Sequence, residues 1–127
     1  MHSFILQDWL TIRGVAATPG QIITQGESGW LDLAPYQDVS FYLDVREFSG
    51  ATPTIVFQTA PIKEDGLFQN MLGAINLTLT PANPYRVPIT TASCPVARYV
   101  RWQLQGPSGG AWDTTFRVLL AADALGL

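Results

Sequence analysis

The stretch Val39-Ser40-Phe41-Tyr42-Leu43-Asp44-Val45-Arg46 decides the fold. Val39, Phe41, Leu43 and Val45 alternate with Ser40, Tyr42, Asp44 and Arg46, which in an extended chain puts an apolar face opposite a wet one. A strand dry on one side only belongs to an antiparallel sheet packed against something else. The pattern returns further along. From Ala97 to Gln105, Val100, Trp102 and Leu104 share a face opposite Tyr99, Arg101 and Gln103. From Ala111 to Ala122, Trp112, Thr114, Phe116, Val118 and Leu120 share another. These two runs, joined by Gly106-Pro107-Ser108-Gly109-Gly110, read as a hairpin near the middle of a sheet.

Ser49-Gly50 reads as a turn, and Pro53 opens Thr54 to Thr59 as a hairpin partner, with Ile55 and Phe57 inward. Asn76 to Thr80 is a further strand, and Tyr85 to Ile89 a short one that Pro81, Pro84 and Pro88 mark as an edge. Phe4 to Ile12, Gln21 to Thr24 and a piece around Trp30 to Leu33 bring the total to about eight. The stretch from Lys63 to Leu72 is a loop or one short helical turn. Helical spacing is hard to find, so no crossover helix is available for a parallel sheet. The expectation is an all-β chain, residues 1–127 as one domain, folded as an antiparallel sandwich or jelly roll, with a closed barrel as the competing architecture. Phe41, Leu43, Val45, Val100, Trp102, Leu104, Phe116 and Val118 should share one core.

Only 13% of the 127 residues are Asp, Glu, Lys or Arg, against about 25% in an ordinary soluble domain. Thr, Ser, Gln, Asn, Gly and Pro must cover much of the surface, which suits a chain partly buried in an assembly, a homo-oligomer included. Seven basic against ten acidic residues give a net charge of −3, which argues against nucleic acid or anionic lipid as the main partner. Arg13, Arg46, Arg86, Arg98 and Arg117 stand apart from one another in the sequence, so no basic stripe forms. The start lacks a basic n-region and a long apolar run, and no stretch is long enough to span a bilayer. Synthesis in a cytoplasm, with no membrane partner, is the expectation.

Residue inventory excludes most enzymatic designs. His2 is the one histidine and Cys94 the one cysteine, so a histidine-based triad, a multi-histidine metal site and a cysteine zinc site cannot be built. Cys94 reads as a small packing residue. The carboxylates Asp32, Asp38, Asp44, Glu64 and Asp65 lack calcium-loop spacing, and Glu64-Asp65 reads as a solvated pair rather than a glycosidase couple. The glycine loop at 106–110 lacks the helix and the Lys-Ser or Lys-Thr pair of a phosphate cradle. Asn76-Leu77-Thr78 matches a glycosylation acceptor, accidental without a secretory signal. No catalytic residue, no metal site and no cofactor are expected. Trp102 and Trp112 lie on apolar faces and read as core. Trp9 and Trp30 are less constrained, and with Tyr42 and Phe68 they are the candidates for an interface.

The segment Phe57-Gln58-Thr59-Ala60-Pro61-Ile62-Lys63-Glu64-Asp65-Gly66-Leu67-Phe68 resembles small β-sandwich proteins encoded among phage structural genes. So does the pair Ala97-Arg98-Tyr99-Val100-Arg101-Trp102 and Ala111-Trp112-Asp113-Thr114-Thr115-Phe116-Arg117. These are similar to head decoration, or cement, proteins of tailed phages, jelly-roll subunits that bind over capsomer junctions and hold the shell against internal pressure. The resemblance implies a non-enzymatic virion subunit, made in the host cytoplasm, whose partner is the major capsid protein or another virion protein. Ala97 to Trp102 also resembles the late strand of discoidin-type carbohydrate-binding sandwiches, although the terminal cysteine pair of that family is absent. A carbohydrate-binding module is therefore the alternative function, and under it Trp9 and Trp30 would contact sugar.

Overall fold

The computed structural model describes residues 2–15, 20–71, 74–77, 85–89 and 96–124, with backbone alone at Gln37, Tyr85–Ile89 and Ala124. Among the described residues ten strands follow in order: β1 (His2–Gly14), β2 (Ile22–Thr24), β3 (Leu31–Asp32), β4 (Tyr36–Gly50), β5 (Thr54–Ala60), β6 (Gln69–Asn70), β7 (Ile75–Asn76), β8 (Tyr85–Ile89), β9 (Tyr99–Gln105) and β10 (Trp112–Ala124). Single 3-10 turns at Glu27–Gly29 and Asp65–Leu67 are the helical pieces among the described residues. The second lies within the stretch expected to hold a loop or one short turn.

The first sheet has the order β1-β10-β4-β8 and the second β2-β9-β5-β6, with β3 also on β9 and β7 also on β5. Every pairing is antiparallel. β2 and β3 lie along the same edge of β9, opposite Gln103 to Gln105 and Tyr99 to Val100. β6 and β7 lie likewise along the far edge of β5. Each pair is one broken lane, so the ten strands make eight lanes in two four-lane sheets. Taken in chain order the lanes change sheet at every step but one, from β5 to the β6/β7 lane, which are neighbours in the second sheet. That alternation, with first and last lanes adjacent, is the double Greek key of a jelly roll.

Two expected hairpins are corrected by this order. β9 and β10 lie in different sheets, as do β4 and β5. The residues at 106–111 and 51–53 carry the chain across the sandwich instead of turning it back beside itself. β4 also runs on through Ser49 and Gly50, where a turn was expected, pairing them with Asp113 and Trp112. The expectation that β9 and β10 are central holds: β9 lies between β2 and β5, and β10 between β1 and β4. β8, with Pro88, pairs with β4 at an edge. Of the strand expected from Asn76 to Thr80, Asn76 lies in β7 and Leu77 in a turn, and Thr78 to Thr80, like Cys94, lie outside the described residues.

The inward faces meet in one core containing all eight residues expected there. Phe41 of the first sheet stacks on Phe57 of the second with centroids 4.2 Å apart, and Trp102 meets Phe116 edge-on at 5.4 Å. Trp112 packs over Gly14, where an added Cβ would sit 2.0 Å from the indole nitrogen, so the chain leaves β1 without a side chain at that point.

Candidate interaction surfaces

The outward faces of the two sheets hold the four candidate residues. On the first sheet, register is broken in β1 between Gln7 and Leu10 and in β4 between Val45 and Glu47. Opposite the single β10 residue Arg117, β1 therefore places both Asp8 and Trp9. Arg46 is the extra residue of β4 beside the Thr115–Phe116 step. Bulges of this kind re-aim side chains. Here two of them, on either side of β10, bring Arg46 and Arg117 over one ring, with guanidinium carbons 4.5 and 4.8 Å from the Trp9 centroid. Arg117 also donates from Nε to Asp44 Oδ2 at 2.9 Å. Two of the arginines that stand apart in sequence, Arg46 and Arg117, are thus brought together in space by the bulges.

One outward position further along the same face, Ile5 pairs with Leu119 and Leu119 with Tyr42. With Ser3 and Ala121 they line a shallow depression of about 270 Å³. Ile5 keeps 59% of its surface exposed, and beside Leu119 and Tyr42 it forms an apolar patch rather than a lone exposed side chain. Trp9 and Tyr42, both half-buried, therefore belong to one continuous surface.

Trp30 and Phe68 lie on the opposite side of the molecule, over the second sheet. Their rings meet edge-on at 4.7 Å, and Arg101 stacks on both, 4.0 Å from the Phe68 centroid and 5.0 Å from that of Trp30. Phe68 is buried and Trp30 half-buried, its Nε1 donating to the Gln25 carbonyl at 2.8 Å. Arg101, read from its alternation as a wet-face residue, is only 3% exposed. It donates to Gln58 Oε1 at 2.8 Å and to Asp65 Oδ1 at 2.6 Å. The cover comes from residues 61–70, which fold back over the outer face and present 61–67 to solvent. This pair of candidates thus builds a pinned loop rather than an open aromatic platform.

Three of the five carboxylates considered for catalysis or calcium are spread among different arginines. Asp32 takes a two-point contact from Arg98 at 3.1 and 3.0 Å, Asp44 pairs with Arg117 and Asp65 with Arg101. The Arg98 hydrogen bond, aided by the Ala34 N–H, holds the Asp32 carboxyl below its ordinary range. Among the described residues no group of three His, Cys, Asp or Glu side chains converges to hold a metal ion. Among the described residues no helix is long and apolar enough to cross a membrane.

No protein-family model matches the chain, and no curated protein matches it. Among solved structures it resembles a chain from the structure of infectious bursal disease virus, Gx strain, with a TM-score of 0.55 and 12% identity over 98% of this chain and 33% of that one. A chain from the VP2 subviral particle of the same virus aligns with a TM-score of 0.44 and 10% identity, over 98% of this chain and 37% of that one. The chain thus spans about a third of the length of these structures. At such identity the first likeness is one of fold, and it agrees with the jelly-roll lane order.

Proposed function

We propose that the chain is a structural subunit of a viral shell, and more narrowly a decoration or cement subunit on the head of a tailed phage. The observation that carries this reading is the outer face of the first sheet. Two bulges there aim Trp9 and Arg46 at Arg117 beside an apolar depression, a combination of contact groups rather than of reacting ones. Trp, Tyr and Arg are the residue types over-represented at the energetic centres of protein interfaces. The low charge density supports the same reading, because neutral polar surface, once hydrogen-bonded, is removed from water at far less cost than charged surface. The fold supports it in kind: jelly rolls serve shell proteins, and they also serve lectins.

On this reading the subunit acts without turnover, repeated many times on a symmetric lattice, so that each contact can be modest while the sum is firm. Its partners are other virion proteins and its place is the virion. The test is the mass and copy number of the chain in purified particles. Many copies per particle, at a multiple fixed by the shell's symmetry, are expected. Failure to co-sediment with any capsid, together with a clear hit on a glycan array that Trp9→Ala or Trp30→Ala removes, would overturn the shell assignment in favour of sugar binding.

A further inference from the structure

We propose that the Trp9, Arg46 and Arg117 cluster, with the Ile5, Tyr42 and Leu119 depression beside it, is a socket for the 61–67 loop of a second copy of this chain. The inference deepens the shell reading by naming the partner of one face, yet association of the purified chain tests it without any particle.

The socket calls for a carboxylate next to an apolar side chain. Two guanidiniums converge on the Trp9 ring in a chain whose net charge is −3. Asp44 offsets one of them through the Nε of Arg117. Asp8 of the same bulge accepts the Trp9 N–H at its Oδ1, which leaves the Arg46 guanidinium to take one carboxylate, whereas a doubly charged phosphate would be pressed against Asp44 and Asp8. Leu119 is two residues on from Arg117 and Tyr42 two before Asp44, so the apolar depression is on the same face, about 7 Å along the strands.

The 61–67 loop carries the complementary set. All seven residues are exposed, with Ile62 at 52% and Leu67 at 42%, and Glu64 between them. A tight turn, closed by the Glu64 N–H on the Ile62 carbonyl at 2.9 Å, holds the carboxylate one short step from the apolar side chain. The loop is fixed from beneath by Asp65 on Arg101 and by Phe68 stacked on the same guanidinium, so little order remains to be imposed on binding. Socket and loop lie over the outer faces of different sheets, which point in opposite directions. Their union is therefore intermolecular and head-to-tail, and it propagates as a ring or a chain of copies.

Sedimentation equilibrium of the purified chain tests this. The weight-average mass should rise above 13.9 kDa with concentration. Arg46→Glu and Glu64→Arg, each checked for an unchanged far-ultraviolet circular dichroism spectrum, should each stay monomeric over the same range. The two changes combined in one chain should restore association. A second pair reads the direction of the contact. Leu119→Asp spoils only the socket and Ile62→Asp only the loop, so each alone should be monomeric, while an equimolar mixture should associate and stop at two copies. A wild-type chain that stays monomeric, association that survives either single charge reversal, or a mixture of the two folded aspartate variants that stays monomeric would each overturn the proposal. Copy number in particles reports separately on the shell reading.

Discussion

Gln25 stands where the outer lane of the second sheet is broken between β2 and β3, and its amide completes the ladder there. Its backbone N–H still reaches the Trp102 carbonyl, while the side-chain Oε1 accepts the Trp102 N–H at 3.2 Å. Its Nε2 donates to the Leu6 carbonyl at 2.6 Å, across to the first sheet. Replacing Gln25 by Ala strands these buried groups and should cost about 2–3 kcal/mol, read as a lower urea midpoint with an unchanged slope. Arg101 poses a sharper question, because its ion-pair partner Asp65 is 80% exposed while its own side chain is 4% exposed. An ion pair open to water on one side contributes little, so Asp65→Asn should cost under about 1 kcal/mol. Arg101→Ala should cost about 2–4 kcal/mol, since it removes the stacked stem and leaves Gln58 without its donor. Equal costs for the two variants would show that the charge pair, not the stacking, holds the loop. Neither residue's role was legible in the sequence. Alternation assigns Arg101 to the wet face correctly, but the cover over that face comes from a loop more than thirty residues earlier. Trp102 and Trp112 were legible because burial follows from phase alone.

At the scale of elements, period two tells which face of a strand is dry and is silent about which sheet the strand joins. Two consecutive strands with inward apolar faces fit a hairpin and an opposed pair equally well, and the short, glycine-rich loop tips the reading toward the hairpin. The distinction is measurable. Neighbouring strands are about 4.8 Å apart, but packed sheets are about 10 Å apart, so the 106–111 connection has the longer gap to cross. Replacing Pro107 to Gly110 by Asn-Gly should therefore destabilise the protein strongly, whereas in a true hairpin the same change would be neutral or favourable. Bulges were hidden for a similar reason: they are properties of a pairing, and the pairing of β1 with β10 joins the two ends of the chain. A pH effect also belongs to this scale, since Asp32 at the end of β3 is tied to Arg98 just before β9. The Asp32 carboxyl is held below its ordinary value of 3.8, first by the Arg98 hydrogen bond and next by the Ala34 N–H. The unfolded chain thus takes up the proton first. The contribution is complete above the ordinary value and fades as pH falls through it toward the lower folded value. Asp32→Asn should accordingly lower the urea midpoint slightly at pH 7, and the difference from wild type should vanish on acidification.

For the whole molecule, the question is whether two four-lane sheets with broken outer lanes behave as one cooperative body. Composition could announce a low-charge surface and a chain built of strands, but cooperativity depends on contacts that only the folded chain makes. Those contacts run through the centre. Trp102 is 2% exposed, meets Phe116 of the opposite sheet edge-on, and donates from Nε1 to Gln7 Oε1 of β1 at 3.2 Å. Phe41 and Phe57 join the sheets again by stacking 5° from parallel. Gln25 closes the side of the sandwich through Leu6. With these four links between the sheets, neither sheet can shed its inner face without exposing the other's. Trp102→Ala should then cost about 3–5 kcal/mol, the range for truncating a large buried ring. Its loss should appear as one shifted transition: tryptophan fluorescence, which follows local packing around the indoles that remain, and far-ultraviolet dichroism, which follows the backbone of both sheets, should trace the same denaturant curve with the wild-type slope. If the sheets were separately stable, the two probes would part in this variant, because the second sheet would melt while β1, β10 and β4 stayed paired.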